Sequence, residues 1–303
     1  MQKKSGFVSI IGAPNAGKST LINSILGQDI SIVTPKKQTT RNKIFGIYTK
    51  DEVQIVFIDT PGILNPKYKL QRFMKREIES SFIDAELIIL VIDSGKFELS
   101  LLKEIYQKYK KEFSEHKIFC VLNKIDLIEK ENLLLIINEI SFNLSFDEII
   151  PVSAFKKFNI DDLIKTITKY LPENEFYFNE DVLTSQPERF FVSEIIRKNI
   201  LQLYRNEIPF SVYVDIEEFK EREKGKDFIK AAIVVERDSQ KAIIIGSRGS
   251  KIKSLGEASR KNIEYFLGRS VFLELFVKVS KEWKNDERFL KKNFNKLSSS
   301  VSG

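Results

Sequence analysis

Gly12-Ala13-Pro14-Asn15-Ala16-Gly17-Lys18-Ser19 sets two glycines, a lysine and a hydroxyl at the spacing G-x-x-x-x-G-K-S. Glycines at the first and sixth positions let the backbone turn so that successive N–H groups point inward, which suits the α and β phosphates of a nucleotide. The helix expected next adds positive potential at its N-terminus. Lys18 can reach the β and γ phosphates, the Ser19 hydroxyl can ligate Mg²⁺, and Thr20 continues the same binding segment.

The base is read further along, at Asn123-Lys124-Ile125-Asp126. A carboxylate at Asp126 can accept from both N1–H and the exocyclic amine of guanine. Adenine lacks that amine and presents a donor where guanine has a carbonyl, so the pattern selects GTP over ATP. A site built to pair a polar group rejects an analogue lacking it by roughly 10⁴-fold or more, because the buried group is left unpaired. Ser153-Ala154, after the next apolar run, is placed to cover the base from the other side through a backbone N–H.

Asp59-Thr60-Pro61-Gly62 ends another apolar run; its carboxylate can hold Mg²⁺ through water and the Gly62 N–H can sense the γ-phosphate. Thr39 and Thr40 in "TPKKQTTR" offer a hydroxyl to complete the Mg²⁺ shell, with Thr40 favoured. No catalytic residue is identified. Ile63 stands where many small GTPases carry the glutamine that orients the attacking water, so a slow intrinsic rate follows.

A second constellation lies near the other end, Gly246-Ser247-Arg248-Gly249 followed by Lys251 and Lys253. Such a turn between helices brings backbone close to a sugar–phosphate chain, and the cations add attraction.

The elements that must position these groups show in the hydrophobic pattern. Runs at 7–11, 53–59, 85–93, 117–123 and 149–153 are continuously apolar, the mark of strands covered on both faces in a mostly parallel sheet. Leu70, Phe73, Met74, Ile78 and Phe82 have helical spacing, as do Ile160, Leu163, Ile164, Ile167 and Leu171 after an Asn159 N-cap. The fold class is therefore α/β: a doubly wound phosphate-loop domain over 1–172, an acidic linker at 173–188, and an α+β RNA-binding domain over 189–290 with the order α-β-β-α-α-β. Residues 291–303 read as a disordered tail.

The net charge of +7 over 303 residues is uneven: residues 1–188 hold 25 Lys+Arg against 26 Asp+Glu, and 189–303 hold 24 against 16, an excess of +8. A basic C-terminal third is the footprint of a nucleic-acid partner. One cysteine, Cys120, excludes an intramolecular disulfide or a cysteine–zinc cluster and points to a reducing cytoplasm. His116 sits in a polar stretch with no nucleophile motif directed at it, and no apolar run approaches the length of a membrane span.

With these motifs in order, the chain resembles the Era family of GTPases, a Ras-like domain joined to a type II KH domain. The resemblance runs from residue 6 to about 290 through "GAPNAGKSTLINSILGQDISIVTPKKQTTR", "DTPGI", "NKID", "PVSA" and "IIIGSRGSKIKSLGEASRK". It implies GTP-regulated binding to the 3′ end of 16S ribosomal RNA during 30S subunit assembly, in a monomer with peripheral association at the inner membrane. Family members usually carry valine at the position of Ala16. In some related GTPases an asparagine at the position of Asn15 helps hold K⁺, which supplies charge where an arginine finger would. Two other readings are a metabolic nucleotide kinase and an RNA-binding protein with a vestigial nucleotide site.

Overall fold

A computed structural model describes residues 2–34, 36, 39–205 and 208–294. The backbone clusters into two units dividing between Ser185 and Gln186, with Lys67–Leu70 grouped with the second.

In chain order the first unit contains β1 (Lys4–Gly12), α1 (Lys18–Leu26), β2 (Ile44–Lys50), β3 (Val53–Asp59), α2 (Lys69–Ile83), β4 (Leu87–Asp93), α3 (Leu99–Lys108), α4 (Lys110–Glu115), β5 (Lys117–Asn123), α5 (Lys130–Asn143), β6 (Glu148–Pro151) and α6 (Ile160–Tyr170). The sheet order is β2-β3-β1-β4-β5-β6. From β3 to β6 neighbouring strands are parallel, and β2 returns antiparallel along β3. The continuous apolar runs are strands because consecutive apolar side chains are covered on both faces only inside a sheet flanked by helices. The order reverses at β1, so the carboxyl ends of β1, β3, β4 and β5 open a crevice at that switch point.

One layer of the core packs Ile11, Leu90, Cys120 and Leu122 of the sheet against Ile78 and Phe82 of α2 and Leu102 and Ile105 of α3. The five apolar positions expected to form one face of α2 are all buried. Burial pushes the Cys120 thiol up to about 12.

Strand β2 has no counterpart in the sequence reading. It is an edge strand turned back on β3 through Asp51, and Gly46 within it leaves room for side chains of α1 and the following loop: a Cβ there would lie 2.7 Å from Ile30 Cδ1 and 2.8 Å from Leu26 Cδ1. Asn159 precedes α6 as expected but does not cap it through its side chain. Its Nδ2 donates to the Pro151 carbonyl at 2.8 Å and its φ is +61°.

The stretch 173–188, expected as a linker, is pinned along the first unit as far as Leu183. Ser5 Oγ donates to the Glu175 carbonyl at 2.6 Å, Gln54 exchanges two hydrogen bonds with the Phe178 backbone, and the Ile47 N–H donates to the Leu183 carbonyl at 2.8 Å.

The second unit runs α7 (Glu188–Leu203), β7 (Tyr213–Lys220), β8 (Asp227–Val235), α8 (Asp238–Ile245), α9 (Ser250–Leu267), β9 (Val271–Val279) and α10 (Glu287–Phe294). Its sheet order is β7-β8-β9, antiparallel then parallel. The core joins Val192, Ile196 and Ile200 of α7 and Leu255 and Ile263 of α9 to Ile229, Ala231 and Ile233 of β8. The expected disordered tail starts too early: residues 291–294 complete α10, because Leu290 and Phe294, one turn apart, are buried and Phe294 packs on Tyr213 at 5.3 Å between ring centres. The rest of that tail, 295–303, lies outside the described residues.

Candidate functional site

The phosphate loop joins β1 to α1 and is shaped by close approaches. Gly17 has φ +96°, and a Cβ on it would stand 2.2 Å from Asn123 Nδ2. Gly17 also occupies the N-cap position of α1 with no side-chain cap, so the first N–H groups of the helix are directed to whatever fills the loop. Lys18 is buried, its Nζ donating to the carbonyls of Gly12 at 3.2 Å and Ala13 at 3.3 Å. Burial lowers its pKa to about 8, against the pull of Asp59. These groups line a cavity of about 390 Å³ together with Asn15, Ser19, Thr20, Thr40 and Lys124, within the size range of small-ligand pockets. Ala16 is buried beneath it.

Three oxygens meet at the expected metal position. Ser19 Oγ donates to Asp59 Oδ2 at 2.8 Å and lies 3.1 Å from Thr40 Oγ1, which is 3.5 Å from the same carboxylate oxygen. Asp59 is fully buried, its Oδ1 has no hydrogen-bond partner, and burial raises its pKa. A buried carboxylate with an orphaned oxygen beside two hydroxyls fits Mg²⁺, which takes one or two protein oxygens and completes its shell with phosphate and water. Thr39 lines the same cavity, and its hydroxyl donates to the Lys36 carbonyl at 2.7 Å. Pro35, Lys37 and Gln38 of the stretch "TPKKQTTR" lie outside the described residues.

At the end of β5, Asn123 ties the base motif to the phosphate loop: Nδ2 donates to the Ala16 carbonyl at 3.0 Å and Oδ1 accepts from Ala154 N at 3.0 Å. Of the Ser153-Ala154 pair, expected to cover the base through a backbone N–H, the Ala154 N–H is thus spent on Asn123 and the Ser153 N–H on the Phe158 carbonyl at 3.1 Å. Asp126 accepts a hydrogen bond from Ser153 Oγ at 2.5 Å, which fixes one carboxylate oxygen. Lys124, at φ +66°, crosses back over the loop, with Nζ 2.7 Å from the Asn15 carbonyl and 2.6 Å from Asp93 Oδ2. Asp93 and the cavity-lining Lys96 are absent from the sequence reading. The signal for Asp93 was available, since it ends β4 as Asp59 ends β3 and Asn123 ends β5.

Gly62 approaches the loop so closely that a Cβ would lie 2.9 Å from the Pro14 backbone. The next residue, Ile63, donates its N–H to the Gly12 carbonyl at 3.0 Å and packs against the apolar layer under α2. Its partly buried side chain packs against that core and has no polar atom with which to orient water.

In the second unit, Gly246 (φ +72°) ends α8 and Ser247–Gly249 form a single turn before α9, with Arg248 at φ +50°. Ser247, Arg248, Lys251 and Lys253 are all exposed. A Cβ on Gly246 would lie 2.6 Å from Lys251 Cγ, so the glycine keeps that lysine folded against the turn.

Residues 7–124 match the family described as 50S ribosome-binding GTPase, and residues 207–284 match the KH domain. GTPase Era of Lactobacillus helveticus (strain DPC 4571) is 43% identical over 294 residues, 95% of either chain. A crystal structure of an Aquifex aeolicus Era variant bound to GDP·AlF₄⁻ superimposes with a TM-score of 0.90, and one of Era with MgGDPNP and nucleotides 1506–1542 of 16S ribosomal RNA with 0.91. Each is 40% identical and covers 95% of this chain and 98% of the other. Neither a nucleotide kinase nor a vestigial nucleotide site is favoured by these matches. The chain belongs to the Era family of GTPases.

Proposed function

We propose that this chain hydrolyses GTP and uses the bound nucleotide to control its hold on single-stranded RNA near the 3′ end of 16S rRNA during 30S subunit assembly. One observation carries the reading: a single chain joins a guanine-reading carboxylate, Asp126 held by Ser153, to an exposed Gly246–Gly249 turn, in a family whose RNA complex matches it over 95% of its length.

In this reading Gly12, Asn15, Ala16, Gly17, Lys18, Ser19 and Thr20 cradle the phosphates, and Asn123, Lys124, Asp126, Ser153 and Ala154 enclose the base. Ser19, Thr40 and Asp59 hold Mg²⁺, which when bound supplies positive charge at the β and γ oxygens. The Gly62 N–H senses the γ-phosphate. Because the Ile63 side chain is apolar and packs against the core, the attacking water is oriented by backbone, by another residue or by a partner, and intrinsic hydrolysis is slow. Gly246, Ser247, Arg248, Gly249, Lys251 and Lys253 clamp the RNA backbone. The working parts are 1–172 for GTP and 189–290 for RNA, joined by 173–188. K⁺ at Asn15, a monomeric state and peripheral membrane association rest on the family resemblance, and a cytoplasmic setting rests on it and on the single cysteine. Among the described residues no helix is long and apolar enough to cross a membrane.

Crosslinking the purified protein to ribosomal RNA with GDPNP or GDP present tests this reading. Crosslinks near the 16S 3′ end that depend on the nucleotide and vanish with Gly249→Asp support it. Crosslinks that ignore the nucleotide, or map elsewhere, overturn it.

A further inference from the structure

Asp93 ends β4 directly beside Asn123, its partner in the parallel register with β5. Its two carboxylate oxygens do different things. Oδ1 accepts the Gly95 N–H at 3.1 Å and caps the short turn Ser94–Lys96. Oδ2 accepts from Lys124 Nζ at 2.6 Å. That ammonium also donates to the Asn15 carbonyl at 2.7 Å, so one side chain spans the end of β4, the residue after Asn123 and the crest of the phosphate loop. Both partners are largely shielded, with 29% of the Lys124 side chain and 16% of the Asp93 side chain exposed.

Lys124 lines the nucleotide cavity. A lysine stem has four rotatable bonds, and a stem that must be ordered when ligand arrives takes that cost out of affinity. Here it is ordered beforehand, because the cation is held at one end and the Lys124 backbone is fixed at the other in the left-handed region.

We propose that Asp93 is a positioning residue for the guanine nucleotide: it holds Lys124 stretched across the phosphate loop, so that the lysine stem forms a preset wall of the cavity and slows nucleotide release. The inference rests on the cavity being the guanine-nucleotide site. Asp93 acts through Lys124, next to the base-reading Asn123, so its effect is read in nucleotide release.

The test uses the full chain and fluorescent mant-GDP. Asp93→Ser keeps a short side-chain acceptor for the Gly95 N–H but cannot reach Lys124, which separates the turn-capping role from the positioning role. Asp93→Ser is expected to keep the parent melting temperature and to release mant-GDP about tenfold faster, the size of one charge-assisted hydrogen bond. Asp93→Asn, which retains an acceptor, restores most of the retention. In a Lys124→Ala background Asp93→Ser has no further effect on release. Release from Asp93→Ser within twofold of the parent, or an equal acceleration when Lys124 is already gone, overturns the inference. Failure of the parent itself to bind mant-GDP overturns instead the reading of the cavity.

Discussion

Asn123 Nδ2 occupies the space that a Cβ on Gly17 would need, 2.2 Å away, while donating to the Ala16 carbonyl at 3.0 Å. The loop that receives phosphate and the motif that reads the base are thereby interlocked through one amide. Gly17→Ala adds both this clash and the strain of a φ of +96° on a residue with a Cβ. A cost of about 1–3 kcal/mol is expected as a lower melting temperature, with mant-GDP affinity reduced at least tenfold.

Asp126→Asn exchanges an acceptor for a donor at the position opposite the guanine amine. Guanine loses its partner there, whereas xanthine presents a carbonyl that the new amide can meet. GTP binding is expected to weaken by more than about 100-fold while XTP binding rises, measured by competition against mant-GDP. Unchanged preference for GTP would remove Asp126 from the base site.

Lys18 is held at about 8 by burial when no phosphate is present. Bound phosphate favours the ammonium, so above pH 8 binding must take up a proton. Through this group, affinity for GDP is expected to fall above pH 8 by at most about tenfold per pH unit. Calorimetry at pH 9 in buffers of different ionisation enthalpy reads the uptake directly, and Lys18→Met abolishes the slope.

Arg248→Ala and Lys251→Ala each remove one exposed cation beside the Gly246–Gly249 turn. RNA affinity is expected to drop for every sequence alike, and the slope of log K against log salt to fall by about 0.7 for each phosphate no longer neutralised. GTP hydrolysis without RNA stays at the parent rate.

Leu290→Ala empties a buried position in α10. A loss of about 2–4 kcal/mol should appear in urea unfolding followed by Trp283, the single tryptophan, which is buried in the same unit. A variant as stable as the parent would mean that α10 does not contribute to the core.

The parts of the molecule legible in the sequence are those whose chemistry is local. β3 and β5 fall on Val53–Asp59 and Lys117–Asn123, where the apolar runs begin and end, because strands covered on both faces are predominantly apolar, with Gln54 the one polar residue inside β3. β2 escapes because an edge strand with Gly46 in it lacks that run, and its pairing is decided by β3. α10 escapes because lysine, arginine and asparagine outnumber Leu290 and Phe294, the two residues that anchor it. In the site, the types and order of Lys18, Asp59 and Asp126 pointed to guanine nucleotide before any coordinate. The packing of Ile63 against the core, the use of the Ala154 N–H by Asn123, and the Lys124–Asp93 pair depend on long-range packing that spacing along the chain does not record.

The central claim, that nucleotide state governs RNA binding, is tested most directly by fluorescence anisotropy of an RNA matching the 3′-terminal segment of 16S rRNA, titrated with protein saturated in Mg²⁺ with GDPNP or GDP. The account predicts binding about tenfold tighter or more in the GDPNP form, with both curves collapsing for Gly249→Asp. Equal affinity in the two nucleotide states would contradict it.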